Sequence, residues 1–255
     1  MNVSGQTIVA LRGVGKTFER GTVALAALSL EVRDGEFVSL LGPSGCGKST
    51  ALRIIAGLST ATEGVVEWPG GAVQIGFVFQ EPTLMPWANI AANVQLPLKL
   101  AHADEAESRK AVRQSLERVA LAEFADAYPR ELSGGMRMRA SIARALVTEP
   151  QLMLMDEPFA ALDEITRFKL NNDLLAVWRT LRRTVVFVTH SVFESVYLSQ
   201  RIVVMTPRPG RVFTEIVIDA PYPRDEHFRT SAEYSRFCRN VGEALGSATA
   251  AGGAS

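Results

Sequence analysis

The sequence has 255 residues, of which 27 are basic and 27 acidic, so its formal net charge at pH 7 is zero. This length allows one large domain, or one domain with a subdomain, around a substantial core. A dedicated nucleic-acid surface normally brings an excess of basic residues, so the charge balance argues against that class. The two cysteines, Cys46 and Cys238, form no CxxC motif and fit a reducing compartment better than a secreted setting.

No stretch has the character of a targeting or membrane-spanning segment. Residues 1–9 lack the basic region and apolar core of a signal peptide. The longest apolar runs fall well short of the roughly 20 residues that a membrane-spanning helix requires. We therefore expect a soluble chain that meets a membrane only through a partner.

The predicted elements alternate between strands and helices. In the first part of the chain, strands are predicted at 7–11, 28–32, 36–41, 65–68 and 75–79, with a helix at 48–58. Residues 88–146 are predicted to be helical, with Asp104 and Ser133 as N-caps. Strands return at 152–155, 185–188, 202–205 and 212–218, and the small and polar residues 244–255 are expected to be a disordered tail. This pattern is typical of an α/β core interrupted by a helical insert.

Residues 42–49, GPSGCGKS, match the phosphate-loop motif G-x-x-x-x-G-K-[ST] between a buried strand and a helix. The glycines let backbone N–H groups surround the α- and β-phosphates at the helix N-terminus. Lys48 would reach the β- and γ-phosphates, and the Ser49 hydroxyl would ligate Mg²⁺. The context favours nucleotide binding over a glycine-rich connecting turn. The predicted nucleotide-binding residues here are Gly42, Pro43, Ser44, Gly45, Cys46, Gly47, Lys48, Ser49 and Thr50.

A second stretch, GVGKT at residues 13–17, ends like the same motif. Ala10 stands where the first glycine of the motif would have to be, and no helical pattern follows. We therefore reject this stretch as a phosphate site.

Two carboxylates end the apolar strand predicted at 152–155. Asp156 can hold a hydrated Mg²⁺, and Glu157 can orient or deprotonate an attacking water. An apolar strand ending in Asp-Glu is usually only a strand entering a turn, but downstream of a phosphate loop it becomes a catalytic candidate. Gln80 and His190 also follow predicted strands, and on their own such residues are more often structural or exposed.

In the order and spacing of these motifs, and in the LSGG at residues 132–135, the chain resembles the nucleotide-binding subunits of ABC transporters from about residue 9 to residue 211. The resemblance implies an α/β P-loop NTPase fold with ATP and Mg²⁺ as cofactors. A RecA-like core with an antiparallel β subdomain would occupy residues 1–86 and 147–243, and a helical signature subdomain residues 87–146. The resemblance also implies a homodimer, in which Ser133, Gly134 and Gly135 of one copy meet the nucleotide bound by the other.

Further roles follow from the same resemblance. Glu157 is implied to activate water, His190 to sense the γ-phosphate, and Asp163 to lie in a loop that spans the dimer. Gln80 is implied to link the site to a membrane subunit and to join the Mg²⁺ ligands, which are Ser49, Gln80 and Asp156.

Two positions depart from the usual pattern of the family. Phe18 matches an aromatic residue that stacks on adenine, where Tyr is commoner; the alternative is an ordinary core phenylalanine. Met136 stands where Gln usually follows the LSGG. Neither change removes a phosphate or metal ligand, but the contacts on the ribose side are left open.

Residues 80–87 and 136–141 look like the nitrate/sulfonate/taurine importer branch of the family. That branch implies two ATPase subunits at the cytoplasmic face of the inner membrane, two membrane permease subunits and a periplasmic binding protein. Leu84, Met85 and Trp87 would then line a groove for a helix of the permease, or else pack in the core.

The alternative is an ABC-type ATPase that acts in nucleic-acid maintenance or translation. Such proteins place a coiled coil or zinc modules between the phosphate loop and the LSGG, or carry two cassettes. Residues 50–132 are too few for a coiled coil and contain no cysteine, and one cassette is present. A small-molecule kinase or GTPase would not need the LSGG. The sequence therefore favours transport, without nucleic acid as a partner, and does not encode the transported solute.

Overall fold

A computed structural model describes residues 5–252 of the chain. Within these residues the strands are β1 (Thr7–Thr17), β2 (Val23–Arg33), β3 (Phe37–Leu41), β4 (Glu63–Glu67), β5 (Ile75–Val78), β6 (Leu152–Asp156), β7 (Thr184–Thr189), β8 (Arg201–Met205) and β9 (Val212–Val217). The helices are α1 (Lys48–Ile55), α2 (Ile90–Leu100), α3 (Glu105–Arg118), α4 (Gly134–Leu146), α5 (Glu164–Leu181), α6 (Val192–Leu198), α7 (Glu226–Thr230) and α8 (Ala232–Gly252). The parts of the signal-peptide and tail predictions that concern residues 1–4 and 253–255 lie outside the described residues.

The chain divides into two compact units, one made of the residues up to 73 and from 184 onward, the other of residues 74–183. In the first unit, β1 pairs antiparallel with β2 and β4. A second set of strands runs in the order β7-β3-β8-β9, with β3 parallel to both neighbours and β9 antiparallel to β8. Every residue of β3 and β7 is buried, as expected for parallel strands covered on both faces.

In the second unit, β5 and β6 form a parallel pair, and α2, α3 and α4 pack together. The predicted N-caps are confirmed: Asp104 accepts hydrogen bonds at the start of α3, and Ser133 does so at the start of α4. The predicted helical subdomain, residues 87–146, lies inside this unit, which also contains β5, β6 and α5. The division of the chain into those predicted subdomains stays a prediction.

Helix α1 ends earlier than the predicted residue 58. Gly57 adopts a left-handed φ of 71° just beyond the helix. Its N–H donates to the Ile54 carbonyl at 3.1 Å, and the N–H of Leu58 donates to the Arg53 carbonyl at 2.8 Å. This pair of bonds is the Schellman arrangement, which satisfies the last carbonyls and stops the helix.

The prediction of a disordered tail is wrong for residues 244–252, which continue α8. The buried face of α8 contains Tyr234, Cys238, Val241 and Ala248 at spacings of three, four and seven residues. Such spacing keeps one side of a helix against the core. Because alanine has the highest helix propensity, an alanine-rich segment needs only this limited burial to remain helical.

A buried arginine joins the C-terminal segment to α6. Arg224 is only 4% exposed, and one of its terminal nitrogens donates to the carbonyls of Val196, Tyr197 and Ser199 at 2.8–3.1 Å. The other donates to the Ile218 carbonyl at 3.2 Å and to the Ala220 carbonyl at 3.0 Å. Arg224 thus satisfies the last carbonyls of α6, which a helix end cannot satisfy by itself.

Within residues 5–252, none of the helices combines the length and the apolar character needed to cross a membrane.

Candidate functional site

The glycine-rich loop 42–49 connects β3 to α1, as predicted. Leu41, the last residue of β3, lies level with Thr189 of β7 and Val204 of β8. The loop and His190 therefore both begin at the carboxyl ends of parallel strands, where α/β folds bind their ligands.

Two glycines of the loop have backbone conformations that other residues adopt at a cost. Gly45 has a φ of 76°, and Gly47 a φ of 104°. A Cβ atom on Gly47 would lie 2.7 Å from the Ala24 carbonyl oxygen and 2.7 Å from a methyl group of Leu25. Both the left-handed backbone and the close approach thus require glycine at position 47.

Lys48 is only 3% exposed, and its side chain folds along the loop. Its Nζ donates to the carbonyl oxygens of Gly42 at 2.8 Å and Pro43 at 3.0 Å. Gly47 is the N-cap of α1 and has no side chain with which to satisfy the first N–H groups of that helix. A buried cation at the N-terminus of a helix is a suitable receptor for phosphate oxygens.

The other predicted residues of the loop differ in exposure. Ser44 is exposed, Cys46 is buried, and Ser49 and Thr50 are half-buried in the first turn of α1. The rejected stretch at residues 13–17 lies in β1, and no helix follows it. It thus lacks the strand-loop-helix context of a phosphate site.

His190 is exposed directly after β7, and a hydrogen-bond network surrounds its backbone. Thr189 Oγ1 donates to the buried Glu194 carboxylate at 2.5 Å and accepts from the Ser191 N–H at 3.0 Å. Ser191 Oγ in turn accepts from the Glu194 N–H at 3.3 Å, which caps α6. The sequence analysis missed these residues, although Ser191 with Glu194 has the S-x-x-E spacing of a capping box.

Phe18 is 46% exposed in the turn between β1 and β2. The Nζ of Lys16 lies 5.4 Å from the centroid of its ring. The alternative of an ordinary core phenylalanine is therefore wrong, and adenine stacking stays a prediction.

In the second unit, the pairing of β5 with β6 gathers three of the predicted residues at one edge. Val78 lies level with Met155, so Gln80 and the pair Asp156 and Glu157 all emerge at the carboxyl ends of these parallel strands. Asp156 is buried, Glu157 is half-buried and Gln80 is exposed. The strand pairing thus places the Gln80 amide and the carboxyl groups of Asp156 and Glu157 at the same edge of this pair of strands.

Glu157 has an unusual backbone. Its φ is 44°, in the left-handed region, and Pro158 follows it. A residue before proline normally adopts an extended conformation, so this one is strained. Such strain persists where the surrounding structure imposes it, and it concentrates at functional sites.

The LSGG forms the N-terminus of α4. Ser133 is exposed, and its Oγ accepts a 3.3 Å hydrogen bond from the N–H of Met136. A Cβ on Gly135 would come within 2.7 Å of the Thr166 side chain at the start of α5. The glycine therefore allows α4 and α5 to approach closely.

Asp163 is exposed and caps α5 by accepting the N–H of Thr166 at 2.9 Å. Hydrogen bonds from Thr166 lower the pKa of this carboxyl group, so it is a carboxylate at neutral pH. The close approach of Gly135 to Thr166 brings the LSGG and this loop into one region of the second unit.

Trp87 is 76% exposed, whereas Leu84 and Met85 are half-buried. The buried Asn93 holds the backbone of Met85 by accepting its N–H at 2.6 Å and donating to its carbonyl at 3.1 Å. Arg144 donates to the carbonyls of the preceding residues 82 and 83. Core packing is thus excluded for Trp87, while Asn93 and Arg144 are supporting residues that no sequence motif marks.

The side chains predicted to bind Mg²⁺ carry oxygen atoms, which this ion prefers as ligands. Within residues 5–252, no group of three or more His, Cys, Asp or Glu side chains is arranged to hold a metal ion. Mg²⁺ usually takes one or two protein ligands and completes its shell with phosphate oxygens and water. The Ser49 hydroxyl in the first unit and the Asp156 carboxyl group in the second unit are each oxygen donors of the type that Mg²⁺ binds, and their roles as ligands stay predictions.

These features define a nucleotide-binding P-loop protein, and comparisons with known proteins narrow the class. Residues 25–160 match the family model described as ABC transporter. An uncharacterised ABC transporter ATP-binding protein of Methanocaldococcus jannaschii is 48% identical over 86% of this chain and 82% of its own length. The aliphatic sulfonates import ATP-binding protein SsuB of Bacillus licheniformis is 43% identical over 91% of this chain and 92% of its own length.

Solved structures agree with the sequence relatives. An ATP-binding cassette, solved as a dimer in a post-hydrolysis state with ADP and Pi, superposes with a TM-score of 0.73 at 35% identity. The alignment covers 84% of this chain and all of that one. The predicted α/β ABC ATPase fold is thereby confirmed.

The chain belongs to the ABC transporter family and is an ATP-binding subunit of such a transporter. The predicted activity and cofactors are confirmed with it: the subunit hydrolyses ATP with Mg²⁺ to drive transport.

Proposed function

We propose that this subunit energises an importer of small sulfonated organic anions, and that two copies share each bound ATP. One observation carries the proposal that the chain binds a nucleotide: the N-terminus of α1 follows two left-handed glycines and begins with the buried Lys48 cation. The direction of transport and the solute rest on the likeness to the Bacillus licheniformis sulfonate import protein.

Each residue of the first unit has a separate task in this proposal. The loop N–H groups and Lys48 bind the β- and γ-phosphates, and Phe18 stacks on adenine. Ser49 supplies a hydroxyl ligand to Mg²⁺. His190 contacts the γ-phosphate, with its backbone kept in place by the bonds among Thr189, Ser191 and Glu194.

The second unit supplies the carboxylates. Asp156 and Gln80 hold Mg²⁺, which neutralises phosphate charge when bound. Glu157 orients the attacking water and accepts its proton. Its strained backbone supports this role, because such a conformation is costly to keep without a function.

The shared site uses the N-terminus of α4. Ser133 is exposed there, and the helix N-terminus favours an anion. We assign these groups to the γ-phosphate held by the other copy, with Asp163 in the loop between the copies. The post-hydrolysis dimer of the similar cassette supports a two-copy arrangement.

The partners follow from the same proposal. The homodimer binds membrane permease subunits at the cytoplasmic face of the membrane, and a periplasmic binding protein delivers the solute to them. The exposed Trp87, with Leu84 and Met85, receives a helix of the permease.

The catalytic assignment is tested with Glu157→Gln. The glutamine keeps the shape of the side chain but cannot accept a proton, so hydrolysis should fall roughly 10²- to 10⁴-fold. ATP binding should persist, and ATP-bound dimers should accumulate and be visible by size-exclusion chromatography.

Glu164→Gln is the matched control, because Glu164 is exposed on the first turn of α5 and the same charge is removed. It should hydrolyse ATP at the wild-type rate. Near-normal turnover in Glu157→Gln would disprove the assignment of the general base.

The solute is tested by deleting the gene in its own organism. Growth on an alkanesulfonate as sole sulfur source should be lost, and growth on sulfate should be retained. If growth on nitrate as sole nitrogen source is lost while growth on the sulfonate is unchanged, the sulfonate proposal is wrong and the result indicates a nitrate importer.

A further inference from the structure

The turn between β8 and β9, residues 206–211, contacts the phosphate loop. Arg208 is exposed, and its Nε donates to the Gly45 carbonyl oxygen at 3.2 Å. A terminal nitrogen of the same guanidinium lies 3.3 Å from the position that a Cβ of Gly45 would occupy. An arginine 163 residues away in sequence thus holds one carbonyl of the loop.

Gly210 contacts the next carbonyl. A Cβ on Gly210 would lie 2.0 Å from the carbonyl oxygen of Cys46, a distance that no side chain tolerates. Gly210 is itself fixed to β2, since its N–H donates to the Ala24 carbonyl at 2.9 Å and its carbonyl accepts the Ala26 N–H at 3.1 Å. The hydrogen bonds between Gly210 and β2 therefore fix the close approach of Gly210 to the Cys46 carbonyl.

The 206–211 turn is also closed on itself. The N–H of Thr206 donates to the Arg211 carbonyl at 3.0 Å, and the N–H of Arg211 donates to Thr206 Oγ1 at 3.0 Å. Thr206 Oγ1 donates to the Pro209 carbonyl at 3.1 Å. These bonds give the turn a defined shape from which Arg208 projects.

Peptide geometry links these contacts to phosphate binding. In a planar trans peptide, the carbonyl of one residue and the N–H of the next point in opposite directions. Because the carbonyls of Gly45 and Cys46 face the 206–211 turn, the N–H groups of Cys46 and Gly47 face away from it. The Cys46 N–H donates to the Pro43 carbonyl across the loop at 3.3 Å, and the Gly47 N–H points away from the turn at the start of α1. A backbone N–H held in this direction at a helix N-terminus is suited to binding an anion.

We propose that Arg208 is a positioning residue for the phosphate loop, and that with Gly210 it orients the loop N–H groups toward the phosphates of the nucleotide. The inference rests on the proposed role of residues 42–49. Lys48 holds the Gly42 and Pro43 carbonyls from the other end of the loop, so the two cations together hold three of its carbonyls.

The test is steady-state ATP hydrolysis by the full-length chain carrying Arg208→Ala or Arg208→Lys. Arg208→Ala should raise the KM for ATP by roughly 3- to 10-fold, the effect of losing one hydrogen bond. The kcat should stay at the wild-type value, because Arg208 touches the loop backbone and not the reacting atoms. Arg208→Lys, which keeps a cationic donor, should recover most of the affinity.

Arg211→Ala is the matched control: Arg211 is an exposed arginine of the same turn, and its removal should leave KM unchanged. Gly210→Ala is the second variant and should raise KM more than Arg208→Ala does, since its methyl group must displace the Cys46 carbonyl.

The proposal is overturned if Arg208→Ala has the KM of Arg211→Ala, or if kcat falls while KM does not change. ATP binding by Lys48→Ala distinguishes a failure of the Arg208 proposal from a failure of the proposed nucleotide-binding role of residues 42–49. If Lys48→Ala binds ATP like the wild type, the phosphate loop itself is wrongly assigned. If Lys48→Ala loses binding while both Arg208 variants retain it, only the role of Arg208 fails.

Discussion

At the scale of single residues, the structure separates side chains that the sequence pattern treats alike. Phe18 and Phe37 both lie in or beside strands, yet Phe37 is fully buried in β3 and Phe18 is 46% exposed. An exposed ring can be reached by a ligand, whereas a ring buried in the core cannot. The ring of Phe18 is thus available to an adenine base, with the Lys16 cation nearby.

We predict that Phe18→Ala weakens ATP binding by about 1–3 kcal/mol, the usual contribution of an aromatic ring stacked on a base. Phe18→Tyr should bind normally, because tyrosine keeps the stacking face. The measurement is the Kd for ATP, together with the thermal midpoint.

Phe213→Ala is the control, since Phe213 is also an exposed phenylalanine, on β9. It should leave the Kd unchanged. A wild-type Kd for Phe18→Ala would remove Phe18 from the nucleotide site.

At the scale of elements, four helices of the second unit begin at a side chain that accepts a backbone N–H: Asn89, Asp104, Ser133 and Asp163. At Asp104 the cap is a carboxylate. Its Oδ1 accepts the N–H of Glu107 at 3.0 Å and of Ala106 at 2.9 Å, and these bonds lower its pKa below the ordinary value.

This shift has a defined sign. Because the folded pKa lies below the unfolded value of about 3.9, the cap stabilises the fold fully above that pH and loses its effect as the pH falls through the folded pKa. We predict that Asp104→Ala lowers the thermal midpoint at pH 7, and that its difference from the wild type shrinks below about pH 4. Asp104→Asn should keep much of the cap without titrating in this range.

Thermal unfolding at pH 7 and at pH 3.5 measures the effect. Asp219→Ala removes an exposed carboxylate outside the helices and should leave the midpoint near that of the wild type at both values. A constant difference between Asp104→Ala and the wild type across this range would show that the charge of the cap is unimportant.

Elements with local signals were predictable, and long-range contacts were not. Several features can be recognised from residues that are adjacent in the sequence: the apolar runs of β3, β6 and β7, the motif at 42–49, and the caps at Asp104 and Ser133. The contact of Gly210 with the Cys46 carbonyl depends on how β2 and β8 come together, so no local pattern reveals it. The helical end of α8 was missed because alanine and serine indicate burial weakly, although Ala248 is fully buried.

At the scale of the whole molecule, the proposed mechanism requires two copies. In this proposal the loop at 42–49 and the N-terminus of α4 each contribute N–H groups to an anion, so one chain supplies the two halves of a phosphate site. Pairing the loop of one copy with the α4 of another uses both. This shared-site arrangement stays a prediction for this chain.

A mixture of two defective subunits tests it. One carries Lys48→Ala, which damages its own loop, and the other carries Ser133→Arg, which damages only the contact it offers. In the heterodimer, one site combines an intact loop with an intact α4 N-terminus, and the other collects both defects. We predict ATP-dependent cross-linking between differently tagged subunits in the mixture and none in either homodimer.

Ser247→Arg, which adds the same charge to an exposed position of α8, is the control for Ser133→Arg and should cross-link as a homodimer. If ATP produces no more heterodimer than homodimer, the LSGG is a structural helix cap and the site is not shared.

The buried guanidinium of Arg224 has a consequence for how the chain acquires its structure during synthesis. The carbonyls that end α6 are bound by a side chain 25 to 28 residues further along. Because α6 is synthesised before β8 and β9, its last carbonyls cannot gain this partner until residue 224 has also been made. A chain that ended before residue 224 would carry every predicted nucleotide-binding residue and still lack the side chain that completes the helix after His190.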